Sequence, residues 1–271
     1  MGVGDRLQRY RGFILDIDGV LVRGGRPLPG VSEALARLRE RGPVVLLTNN
    51  STQSRRGAEA RLRERGLPVG EGEVIPSSYV AARYLRSAHG RVQFWALGER
   101  GIVEEMELAG HRFVEPGQAE WVVAGMDRDL TYAKLQDALQ ALLAGARLLA
   151  TNRDPTYPTE TGLVPGGGAV VGALEGMGFS SEVVVGKPSP IAYRVALEVL
   201  GVPPREALMV GDRLDTDIAG GHGVGMDTAF VLSGISTAEE VERTGIRPTW
   251  IARDLPALVR GEVVASLTGH G

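Results

Sequence analysis

Residues 13–20 read FILDIDGV, a short apolar run, Phe13-Ile14-Leu15, that ends on two aspartates one residue apart, Asp16 and Asp18. Apolar runs without polar alternation are expected of parallel strands covered on both faces by helices. Side chains two apart on a strand point the same way, so Asp16 and Asp18 are predicted to share a face, with Ile17 on the other. Two carboxylates about 4 Å apart repel by about 4 kcal/mol at an effective dielectric of about 20, so the pair needs a proton or a cation.

The same arrangement recurs outward from this stretch. Thr48 follows VVLL (44–47), Lys187 follows VVVG (183–186), and Asp212 follows ALMVG (207–211), with Asp217 just behind in GDRLDTD (211–217). In an open parallel sheet, ligands bind at the carboxyl ends of the strands. These residues, far apart in the chain, are therefore predicted to meet in one crevice. Between them apolar runs alternate with amphipathic segments, the pattern of an α/β fold. Helices are predicted near 31–41 (Val31, Leu35 and Leu38 on one stripe, Gly42 as stop), 54–65, 78–87, 101–109, 131–144, 169–177, 190–200 and 215–220. Further strands are predicted at 92–97, 121–125, 147–151, 229–232 and 250–252.

Composition narrows the chemistry. Thirty basic and 33 acidic side chains in 271 residues leave a net charge of −3, without the basic surface that a nucleic-acid partner requires. No cysteine is present, which excludes disulfides, thiolate metal sites and cysteine nucleophiles. His89, His111, His222 and His270 lack metal-ligand spacing and are expected on the surface or in loops. The N-terminal MGVGDRLQRYRGF has no signal-peptide core, and Arg6 stands where myristoylation of Gly2 would need Ser or Thr. No apolar run approaches the roughly 18 residues of a membrane span. A cytoplasmic protein is expected, with no membrane partner.

Three hard carboxylates without imidazole or thiolate suit magnesium rather than zinc. Taken singly, each aspartate could be an ordinary turn or cap residue after a strand. Taken together they suit phosphoryl transfer, in which a phosphate dianion must be neutralised before an anion attacks it. Lys187 supplies a point charge. Thr48, Asn49 and Asn50 offer a hydroxyl, amides and backbone N–H groups to phosphate oxygens. Asp16 can attack phosphorus to give an aspartyl phosphate. Asp18 can protonate the leaving alkoxide and later deprotonate the hydrolytic water. The run Gly166-Gly167-Gly168 lacks the G-K-[ST] ending of a phosphate loop and is read as a flexible lead into the helix near 169–177.

DIDGVL (16–21), LLTNNST (46–52), GKPSP (186–190) and VGDRLDTDI (210–218) resemble, in order, the four motifs of the haloacid dehalogenase (HAD) superfamily. The resemblance implies a Rossmann-like core with a parallel sheet, Asp16 as nucleophile, Asp18 as acid/base, and phosphoryl binding by Gly19, Thr48 and Lys187. It also implies Mg2+ held by Asp16, the Asp18 backbone carbonyl and Asp212, with Asp217 behind them. The stretch ATNRDPTYPTETGLVPGGGA (150–169) and the segment GVLVRGGRPLPG (19–30) resemble the NagD-like, nitrophenylphosphatase and phosphoglycolate phosphatase branch, whose smaller α/β cap domain is inserted into the core. On that basis the core is expected over 1–80 and 182–271 and the cap over 81–181. Asn152 and Asp154 could face the substrate from the cap or hold its loop together.

The expected substrate is a small phosphorylated metabolite, and a homodimer is one expected assembly. A phosphomutase would share the catalytic set but usually has a small helical cap. A non-catalytic phosphate-binding or scaffolding relative would be expected to lack a nucleophile, base or metal ligand, and none is missing.

Overall fold

The computed structural model describes residues 7–265, so the readings on Gly2, Arg6 and His270 lie outside the described residues. The chain forms two compact α/β units. The first holds the residues up to Leu47, Arg61–Glu73, and those from Tyr193 onward; the second holds Thr48–Ala60 and Val74–Ala192.

In the first unit the strands lie in the order Val263–Ala265, Trp250–Ala252, Asp227–Val231, Ala207–Gly211, Gly12–Leu15, Val44–Thr48. All neighbouring pairs are parallel except the outermost, Trp250–Ala252 with Val263–Ala265. Every residue of Gly12–Leu15, Val44–Thr48 and Ala207–Gly211 is buried, which explains their unbroken apolar reading. The helix Val31–Arg39 buries Val31, Ala34, Leu35 and Leu38. It stops three residues before Gly42, and that glycine has a different reason to be there. A Cβ at 42 would lie 2.1 Å from the Arg11 carbonyl oxygen.

The apolar run 13–15 lies in the strand Gly12–Leu15, and the two aspartates follow its end. The strand closes at Leu15, and the Asp16 N–H extends the ladder, donating to the Val210 carbonyl at 2.9 Å. The Ile17 carbonyl then accepts from Leu21 N and Val22 N, and Gly19 takes φ +87°, so the chain turns between Ile17 and Val22.

In the second unit five parallel strands run in the order Val183–Val184, Arg147–Ala150, Trp121–Ala124, Gln93–Leu97, Arg112–Phe113. The helices Tyr132–Leu143 and Gly167–Gly176 close a core around Leu97, Val122, Leu148, Ala138, Val170 and Leu174. Residues 166–168 are not a flexible lead: Gly167 and Gly168 already belong to the helix. Cβ atoms at 166 and 168 would meet the carbonyl oxygens of Asp154 and Arg153 at 2.3 and 2.5 Å. A hairpin, Thr156–Thr159 with Gly162–Pro165, went unseen in the sequence pattern because its residues are half-buried or exposed and do not alternate.

Residues 48–60, 74–80 and 182–192 group with the middle of the chain rather than with the flanking segments. Local contacts account for this. A Cβ at Gly101 would lie 2.2 Å from the Gln53 backbone, Arg55 N donates to Glu105 at 2.5 Å, and Asn49 is bonded to both Asp154 and Lys187.

His111 lies in the loop between the helix Arg100–Leu108 and the strand Arg112–Phe113, and it is buried. Its Nδ1 accepts from Val92 N at 3.2 Å and its Nε2 lies 3.0 Å from the Ala82 carbonyl, an arrangement that fits the neutral Nε2–H tautomer. Burial holds its pKa below the ordinary histidine value. The unfolded chain thus takes up this proton at a higher pH than the folded one, and stability falls as pH drops from about 6.5 towards the folded value. Above that window the group contributes no slope. His111→Gln is expected to flatten the dependence of Tm on pH between about 7 and about 5.5, relative to the parent. Identical slopes in the two proteins would remove His111 from the pH response.

Candidate active site

In the first unit Asp16, Asp212 and Asp217 each offer an oxygen, and the three oxygens lie within 4.8 Å of one another. The residues are only 7%, 1% and 0% exposed, so their charges cannot be left to bulk water. Chain geometry makes the cluster. Parallel pairing of Gly12–Leu15 with Ala207–Gly211 brings the two strand ends level, and Asp16 and Asp212 are the residues that follow them. Asp217 lies in the turn of π-helix Leu214–Ile218, where its Oδ2 accepts from Asp212 N (3.2 Å) and Arg213 N (3.1 Å). Asp18, half-buried in the turn, stands outside this carboxylate grouping.

A neighbouring loop, unremarked in the sequence, completes the cradle. Asp212 Oδ2 accepts from Ile235 N at 2.8 Å, its carbonyl accepts from Ser236 N at 3.1 Å, and Ser233 Oγ donates to the Gly19 carbonyl at 2.6 Å. Space for the Asp212 carboxylate exists only because two neighbours lack a Cβ. One at Gly19 would lie 2.3 Å from Oδ2, and one at Gly234 would lie 1.8 Å from it. The available signal was Ser233-Gly234 following the apolar run AFVL (229–232).

The donor set tests well against magnesium. Three closely grouped carboxylates offer hard oxygens, and no histidine or cysteine belongs to the group. Of the expected ligands, Asp16 and Asp212 are brought together, with Asp217 beside them.

In the second unit, Thr48, Asn49 and Lys187 are all buried. Thr48 ends the strand Val44–Thr48, and its Oγ1 accepts from Asn50 N at 3.1 Å. Asn50 Oδ1 accepts from the backbone N–H and hydroxyl of Thr52 at 2.8 and 2.7 Å, closing the turn. The structure also unites Asn49 with Asp154 and with the Lys187 backbone. Asn152 joins the same group, donating to the Asn49 carbonyl at 2.8 Å and accepting from Asp154 N at 3.0 Å.

Comparison with known proteins agrees with this arrangement. Residues 13–112 match a family model described as haloacid dehalogenase-like hydrolase, and residues 184–258 match a second HAD-like hydrolase model. The chain is similar to the acid sugar phosphatase of Staphylococcus aureus, with 34% identity over 92% of this chain and 96% of that protein. Its structure resembles that of a p-nitrophenyl phosphatase from Archaeoglobus fulgidus, with TM-score 0.86 and 38% identity over 92% of this chain and 98% of the other. It also resembles a glycerol phosphate phosphatase from Mycobacterium tuberculosis solved in complex with magnesium. There the TM-score is 0.86 and the identity 33%, over 94% of this chain and 78% of the other. The four motifs, the clustered aspartates of the first unit and these likenesses along nearly the whole length agree: the chain belongs to the NagD-like phosphatases of the haloacid dehalogenase superfamily.

Proposed function

We propose that this protein is a magnesium-dependent hydrolase of small phosphate monoesters that works through an aspartyl phosphate on Asp16. The observation that carries the reading is the buried grouping of Asp16, Asp212 and Asp217, with oxygens within 4.8 Å. Three buried carboxylates at that spacing are costly unless a cation is bound among them. Asp16 and Asp212, with the Asp18 carbonyl, are assigned to hold Mg2+, and Asp217 to orient the turn behind them. When bound, the ion supplies positive charge that offsets the carboxylates and the phosphoryl oxygens.

The chain's own residues do the rest. An Asp16 oxygen attacks phosphorus, the ester P–O bond breaks, and the leaving alkoxide takes a proton from Asp18. Asp18, now a carboxylate, removes a proton from water. That water attacks the aspartyl phosphate, releasing inorganic phosphate and restoring Asp16. Thr48 and Lys187 bind the phosphoryl group, Lys187 as a point charge. The segment 81–181 is assigned the selection of substrate.

The relatives' substrates guide the choice of test compounds: p-nitrophenyl phosphate, sugar phosphates and glycerol phosphate. The purified protein is expected to turn over p-nitrophenyl phosphate with magnesium present, to fall silent in EDTA, and to recover when magnesium is restored in excess. Undiminished turnover in EDTA would remove the metal from the mechanism. Absence of turnover on every phosphate monoester tried, with magnesium present, would remove the hydrolase reading itself.

A further inference from the structure

Asn49 was expected to offer its amide to a phosphate oxygen, and its side chain is committed elsewhere. A carboxamide has two N–H donors and one carbonyl oxygen. Nδ2 donates to the Lys187 carbonyl at 3.0 Å and to the Asp154 carboxylate at 3.1 and 3.2 Å. Oδ1 accepts from Lys187 N at 2.7 Å. One side chain thus grips both the N–H and the C=O of Lys187, as a neighbouring strand would grip a residue in a ladder.

Asn49 is itself held. Its carbonyl accepts from Ser77 Oγ at 2.6 Å and from Asn152 Nδ2 at 2.8 Å. Gly186 leaves the room this requires, because a Cβ there would lie 2.3 Å from the Thr151 carbonyl oxygen and 2.7 Å from Asn49 Oδ1. The residues concerned, Asn49, Ser77, Asn152 and Lys187, are buried, and Asp154 is half-buried.

The geometry points to Asn49 as a positioning residue that fixes the Lys187 backbone, and so aims its ammonium, with Asp154 anchoring the carboxamide. The Asn49 side chain then binds no phosphate itself. This inference rests on the proposed role of Lys187 in binding the phosphoryl group. It also gives Asn152 and Asp154 a role in holding their loop. Together they hold the loop after Arg147–Ala150 against Asn49, so a change in that loop reaches Lys187 through one amide.

A double-mutant cycle separates aiming from direct binding. Asn49→Ala is expected to lower kcat/KM for p-nitrophenyl phosphate about 100-fold, the scale of a misplaced binding group. In a Lys187→Met background the same substitution is expected to have almost no further effect, because residues that act as a unit are not additive. The cycle is also read as calorimetric affinity for inorganic phosphate, which survives the loss of turnover. Asp154→Ala, at the half-buried end of the chain of contacts, is expected to show the same non-additivity with a smaller loss. It serves as the second variant if Asn49→Ala lowers Tm enough to unfold the protein. Equal losses from Asn49→Ala, or from Asp154→Ala in its place, in both backgrounds would overturn the inference. If Lys187→Met by itself left both turnover and phosphate affinity unchanged, the proposed role of Lys187 would fall, and this inference with it.

Discussion

Asp16→Asn is expected to lower turnover of p-nitrophenyl phosphate by roughly four to six orders of magnitude, the range seen when a nucleophile is removed from a catalytic set that works as a unit. Asparagine has nearly the shape of aspartate, and the Asp16 backbone stays bonded to the Val210 carbonyl, so the turn should keep its course. What disappears is the nucleophilic anion. A carboxamide nitrogen or oxygen does not form the acyl phosphate, and one carboxylate is lost from the grouping with Asp212 and Asp217. Magnesium affinity is therefore expected to fall as well, so turnover must be measured at saturating magnesium to isolate the chemical step. Phosphate trapped from quenched turnover should appear on the parent and be absent from the variant. Turnover within about tenfold of the parent, a deficit of only about 1.4 kcal/mol in the barrier, would exclude Asp16 as the nucleophile.

The sheet that carries this residue was legible for a plain reason. Buried parallel strands must be apolar on both faces, so FIL, VVLL and ALMVG stand out from their surroundings, and a polar residue at the end of each marks the rim. The Asp16–Asp212 pairing followed from those ends. The turn itself was not legible. It is made by two hydrogen bonds to the Ile17 carbonyl and a positive φ at Gly19, and neither is announced by an apolar run. The partners of the Asn49 side chain were hidden for a related reason. Residue type states what a carboxamide can donate, whereas its partners, Asp154 and Lys187, lie 105 and 138 residues away in sequence. The burial of His111 was hidden for the same reason: its two partners are backbone groups, which no side-chain pattern announces. The cradle of Ser233, Gly234 and Ile235 was missed because its donors are backbone N–H groups, which every residue carries, so Ser233-Gly234 after AFVL was the one visible cue.

That cradle yields the second large effect. Gly234→Ala would place a methyl 1.8 Å from Asp212 Oδ2, 2.2 Å from its Cβ and 2.3 Å from its Cγ. Rotating the side chain cannot relieve a clash that includes Cβ, so either Asp212 or the loop from Ser233 must move. If the loop moves, Ile235 N leaves Asp212 Oδ2, and the carboxylate loses the donor that orients it. If Asp212 moves, its oxygen leaves the grouping with Asp16 and Asp217. Both routes strike the same carboxylate. Loss of an orienting partner typically costs 10- to 100-fold in metal affinity or activity, and displacement of the ligand itself should exceed that range. We therefore expect turnover at fixed magnesium to fall about 100-fold or more, with part of the loss recovered as magnesium is raised. Overpacking also costs roughly 1–3 kcal/mol of stability, so Tm should drop while the cooperative transition survives. Ala229→Gly, in the strand Asp227–Val231 that leads into this loop, is the control for stability, since it weakens the strand without adding an atom near the carboxylate. A Gly234→Ala protein that kept parental turnover and the parental magnesium requirement would show that the Asp212 carboxylate tolerates displacement, and would take Asp212 out of the metal site.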